Sequence, residues 1–178
     1  MQRCIRALLL WTLILCACSA ELPSPAAVPD VIDESPDPGA CAYQWANQEL
    51  PELSASFEAL IRELQPEAHA SAFAFGENCF RADGSLAGFS AMETDFNITL
   101  QVDDLANESD LGEWIVKVMQ VIEAIPPEQI VGPRPGRVSI MFQSSSDQRV
   151  INFYINQYQA LPAGLSKPEI YQALQTPQ

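Results

Sequence analysis

The sequence predicts an α+β domain: a two-layer sandwich in which a four-stranded antiparallel sheet carries helices on one face, in the order α-β-β-α-β-β. Three observations carry this. Residues 92–102 alternate, with Met92, Thr94, Phe96, Ile98, Leu100 and Val102 to one side and Glu93, Asp95, Asn97, Thr99 and Gln101 to the other. Two other stretches repeat apolar residues at helical spacing. Short alternating runs flank Ser144-Ser145-Ser146-Asp147, as a hairpin requires.

The first helix is predicted from Leu50, Leu53, Phe57, Leu60, Ile61 and Leu64, with Pro51 suited to its first turn and Pro66 ending it. Residues 68–75 form a strand, with alanines 68, 70, 72 and 74 on one face and His69, Ser71, Phe73 and Phe75 on the other. Asp83-Gly84 marks a turn before the strand at 92–102. Asn107 or Ser109 can cap a second helix, where Glu108 and Asp110 suit the positive end of the dipole. Its apolar stripe is Leu111, Ile115, Val118, Met119 and Ile122, and Pro126-Pro127 stops it. A loop over Gly132–Gly136 leads to a hairpin of residues 137–143 and 149–156, and a short helix near Pro168–Leu174 closes the chain. Hairpins imply antiparallel pairing, and one apolar face per strand implies helices on one side only.

The N-terminus has a different character. Arg3 and Arg6 precede an apolar run from Ala7 to Ala17. A membrane span needs roughly 20 apolar residues, so the run suits a secretory signal peptide. Leu15, Cys16 and Ala17 stand immediately before Cys18. This stretch resembles the lipobox of bacterial lipoproteins. The resemblance implies cleavage after residue 17, lipidation of the Cys18 thiol, and an extracytoplasmic protein held to the membrane by its lipid. Residues 18–40 carry Pro23, Pro25, Pro29, Pro36 and Pro38 among acidic and small residues, as expected of a semi-extended tether. The single folded domain is then 41–178.

Charge and cysteines narrow the function classes. Losing Arg3 and Arg6 with the signal takes the basic residues from 9 to 7 against 23 acidic ones, and the net charge from −14 to −16. Such a chain repels nucleic acid and anionic headgroups and favours cationic partners. Cys41 and Cys79 are an even pair in an oxidising compartment, without a CxxC motif, and are expected to form a structural disulfide.

Chemistry is sparse. Asp103, Asp104, Glu108 and Asp110 could ligate calcium, but they lack EF-hand spacing, and turn and capping roles account for them. His69 is the lone histidine, with no sequence cue to a nucleophile, and GxSxG, SxxK and HExxH are absent. No catalytic residue, metal site or cofactor is expected. The remaining candidate is the outward sheet face of Glu93, Asp95, Asn97, Thr99 and Gln101, joined by Tyr154 from the second hairpin. The resulting expectation is a non-enzymatic, lipid-anchored envelope module that binds an envelope protein or a small ligand, with loops 76–90 and 126–136 as further contact surfaces. The alternatives are a calcium-stabilised module and a hydrolase using Glu93 and Asp95, about 7 Å apart along one strand.

Overall fold

The structure, a computed structural model, describes residues 40–175. The leader at 1–17, Cys18 and the tether up to residue 39 lie outside the described residues. The elements run β1 (Ala42–Glu49), α1 (Pro51–Leu64), β2 (His69–Phe80), β3 (Leu86–Gln101), α2 (Glu108–Glu123), β4 (Arg137–Gln143), β5 (Gln148–Tyr154), α3 (Ile155–Gln159) and α4 (Lys167–Gln175), with a one-turn 3-10 helix at Pro127–Gln129. One mixed sheet has the order β1-β2-β3-β4-β5. Three pairs are antiparallel, and β3 and β4 are parallel.

This overturns the four-stranded antiparallel sheet and its α-β-β-α-β-β order. The parallel pair follows from the connection. A helix joins β3 to β4, so α2 returns the chain to the end of the sheet where β3 began, and β4 sets off in the same direction. The hairpin argument holds within each pair of strands and says nothing of the junction between pairs. The fifth strand, β1, lacks a hydrophobic signature. Its helix-side positions are Ala42, Gln44, Ala46 and Gln48, and only Ala46 is even half-buried.

The helical stripes form the core. Leu53, Phe57 and Ile61 of α1 and Leu111, Ile115, Val118, Met119 and Ile122 of α2 pack with Ala72, Phe96, Ile98, Leu100, Val138, Ile140, Phe142, Ile151 and Phe153. Phe57 meets Phe96 edge to face at 5.0 Å between ring centres. The alanines of β2 let α1 lie close to the strand: Ser54 Oγ donates to the Ala72 carbonyl at 2.8 Å and accepts the Ala72 N–H at 2.9 Å. Leu60 and Leu64, counted on the apolar stripe from sequence, face solvent.

Asn107 caps α2, its side chain accepting from the Asp110 N–H. Asp104 accepts the Ala106 N–H at 2.8 Å, and Asp110 accepts from the Asn107 amide at 2.8 Å. The acidic loop is thus engaged in turn and cap hydrogen bonds, and the described residues contain no group of three metal-ligating side chains. Tyr171 of α4 is fully buried, and its hydroxyl accepts from Arg149 of β5 at 3.1 Å. β5 ends at Tyr154, so Ile155 and Asn156, expected in the strand, open α3 instead. The backbone turns there because the Gln157 side chain accepts the Tyr154 N–H at 2.7 Å.

Candidate binding face

All the buried apolar side chains lie on the helix side, so the opposite face of the sheet has no helix over it among the described residues. The register assembles it in rows. Asn47, Phe75 and Glu93 are successive partners across β1, β2 and β3, with Arg134 bridged to Glu93. Glu49, Phe73 and Asp95 form the next row, which Arg137 and Tyr154 continue. Ser71, Asn97, Ser139 and Asn152 form a third. Thr99 and Met141 pair in a fourth, and Gln101 and Gln143 in a fifth, where their side chains also bond at 3.1 Å. The six residues expected from sequence therefore share one face.

Two of the six are not surface groups. Glu93 and Asp95 are only 8% and 4% exposed. Phe75 and Phe73 flank them on β2, and residues 131–137 run along their other side. That segment is fastened to β3 at three points. The Thr94 hydroxyl donates to the Val131 carbonyl at 2.8 Å and accepts its N–H at 2.9 Å, the Arg134 N–H donates to the Met92 carbonyl at 3.0 Å, and the Arg137 N–H donates to Asp95 Oδ1 at 2.7 Å. Strict alternation from sequence could not show this, because the covering segment is a loop remote in the chain.

Burial raises the pKa of Glu93, and the neighbouring charge of Asp95 raises it further against the opposing pull of Arg134 and Arg137. Burial likewise raises Asp95, opposed by the Arg137 N–H and guanidinium. A carboxyl whose folded pKa lies above its unfolded value stabilises the fold below the unfolded value, and that stability is lost as pH rises through the folded one. Asp95→Asn keeps an acceptor for the Arg137 N–H and removes the buried charge. It should raise stability at pH 7 by about 1 kcal/mol, a shift of a few degrees in Tm, and flatten the fall in stability above pH 4. Thermal melts from pH 3 to 8 check this; a variant less stable than the parent chain at pH 7 refutes it.

Two further rings stand in solvent on this face along β1, a strand that sequence reasoning left unassigned. Tyr43 and Trp45 are 65% and 59% exposed. The Trp45 ring stacks on Phe75, 5.3 Å between centres and 12° from parallel. Farther along, where β1 gives way to α1, an open groove of about 620 Å³ is lined by Asn47, Glu49, Ser71, Phe73 and Asn97 of the sheet face together with Ala72 and with Pro51 and Ser54 of α1. The one cue in the sequence was the alternation of Tyr43 and Trp45 with alanine and glutamine, which reads as a strand only once β2 is known to lie beside it.

Cys41 and Cys79 stand at disulfide distance, with Cα atoms 5.0 Å apart across a separation of 38 residues. They tie the start of β1 to the end of β2. His69 is exposed, with Nδ1 3.2 Å from Glu58 Oε1. Most of the expected 76–90 loop is the long hairpin of β2 and β3, turning at residues 81–85, and the 126–136 loop holds the 3-10 turn and the segment that covers Glu93 and Asp95.

No protein-family model matches the chain, no curated protein matches its sequence, and no solved structure matches its fold.

Proposed function

We propose that the protein is a non-catalytic binding module of the bacterial envelope, anchored through lipidated Cys18, and that the helix-free face of its sheet receives the ligand. The observation that carries this is the placement of Tyr43 and Trp45: large rings left in solvent on the side of the sheet away from the helices. Contiguous exposed apolar surface of this kind marks interaction sites. The lipobox-like Leu15–Cys18 stretch and the Pro-rich tether support the anchor.

The hydrolase reading has weaker support. Glu93 and Asp95 do share a face and carry raised pKa values. Yet both are nearly covered, one Asp95 oxygen is held by the Arg137 N–H, and the adjoining groove is lined by other side chains. A general acid must reach the group it protonates.

The test is site-specific photo-crosslinking in the native envelope, with the crosslinker at Asn47 or Asn152 on the open face and at Gln120, exposed on α2. Discrete adducts are expected from the two face positions and none from Gln120. Equal labelling at all three, or none at the face, overturns the assignment.

A further inference from the structure

Resting on that reading, we propose that the occupant is an extended, arginine- or lysine-bearing segment of a protein partner, which adds to β1 as a sixth strand. β1 is the terminal strand, and among the described residues it pairs only with β2. Eight consecutive residues, Ala42–Glu49, match eight of β2 without a register shift, so the free edge is continuous. Such an edge presents a row of unpaired N–H and C=O groups, which proteins normally protect with lysine, proline, a bulge or a covering element. β1 has no lysine, arginine or proline and no bulge. The opposite edge is treated differently. β5 carries Arg149, has α4 against it and runs straight into α3.

Charge selects the class of segment. On the β1 side of the face the charged strand residues are Glu49 and Glu77, with Trp45 directly opposite Glu77 and two positions along β1 from Asn47, while Arg81, just past β2, is turned to Ser85 and the Leu86 carbonyl. Neither glutamate has an ion pair among the described residues, and Arg134 and Arg137 lie on the far side of β3 beside Glu93 and Asp95. An incoming strand places alternate side chains on this same face. There a guanidinium or ammonium can lie over the Trp45 ring, already oriented by Phe75, and reach a carboxylate. A second copy of this chain fits worse, because its β1 brings a glutamate and no cation.

The test uses the full-length protein in neutral detergent and three synthetic octapeptides: alternating arginine and valine, alternating glutamate and valine, and the arginine peptide with its two central valines changed to proline. Backbone amide exchange is followed residue by residue. The arginine peptide should saturably protect those amides of 42–49 that point away from β2, and the other two should not. Trp45→Ala should weaken binding about thirtyfold, as removal of a central aromatic anchor does. Glu49→Gln should weaken it a few-fold and Glu49→Lys roughly tenfold, with higher salt acting in the same direction. Circular dichroism of each variant confirms that the fold is kept.

The proposal is overturned by no protection, by equal protection by the glutamate peptide, by protection outside β1, or by adducts from Asn47 with twice the mass of the chain itself. Perturbation of Trp45 and Asn47 by chitotetraose but not by the arginine peptide also overturns it, in favour of a glycan. If the peptides fail while the face-specific crosslinks form, the ligand class is wrong and the binding face stands. If both fail, both proposals fall.

Discussion

Replacing Cys41 and Cys79 together by serine should cost the domain about 4 kcal/mol, the chain-entropy value for a loop of 38 residues. The loss should not be uniform. β1 buries almost nothing: seven of its eight residues are exposed and Ala46 is half-buried. It is held by its ladder to β2, by the Trp45–Phe75 stack and by the link at Cys41. Strands with few buried contacts open at a lower free energy than the core does. The double variant should therefore melt on the order of 10 °C lower, with amide exchange accelerated first and most at 42–49. Calorimetry and residue-resolved exchange check both. Unchanged exchange in β1 would show that the ladder alone holds the strand. Adducts from Asn47 should fall in parallel, since the binding face loses its outer row.

Gly136→Ala should be the most damaging of the small substitutions. Gly136 is buried against β3, where an added Cβ would overlap the Thr94 carbonyl oxygen, a backbone atom that cannot swing aside. Its own carbonyl accepts the Ile155 N–H at 2.9 Å, so the segment is also held from the other side. Gly132 is constrained twice over. Its φ is +87°, and a Cβ there would run into the backbone of Met92 and Glu93. Forcing either site should cost about 3 kcal/mol, the upper end for a single substitution. Gly88→Ala, where a Cβ meets open space, should change little. The specific signature of Gly136→Ala is at Asp95. Lifting the segment removes the Arg137 N–H from Asp95 Oδ1 and exposes the carboxyl, so the pH dependence of stability should change along with Tm. A lowered Tm with an unaltered pH profile would show that the segment does not set the environment of Asp95.

Much of the helix layer and of the central strands was legible in the chain. The α2 stripe, the Asn107 cap, the Pro66 and Pro126-Pro127 stops and the alternation from Phe96 to Gln101 are local patterns. Each reflects one side of an element meeting a core. The six residues of the expected face were brought together for the same reason, because side-chain direction alternates strictly once a strand is present. What failed was whatever another part of the chain supplies. β1 reads as loop because neither face is a run of core residues, one holding only alanine and glutamine and the other Tyr43 and Trp45 beside Asn47 and Glu49, and only pairing with β2 makes it a strand. Glu93 and Asp95 read as surface acids because they alternate with Thr94 and Phe96, and only neighbours remote in the chain, Phe73 and Phe75 on one side and the 131–137 segment on the other, enclose them.

By itself the sequence determined the α+β class and which residues of β3 share the face away from the helices, since these follow from periodicity over a few turns or a few strand residues. The Cys41–Cys79 pair was likewise legible as the one even pair within the predicted domain. The tertiary structure alone decided the fifth strand, the parallel β3–β4 junction, the burial of the two carboxylates and the exposure of Trp45 on its Phe75 support. Each of these depends on contacts between residues far apart in the chain, whose free energy enters only when the elements are already side by side.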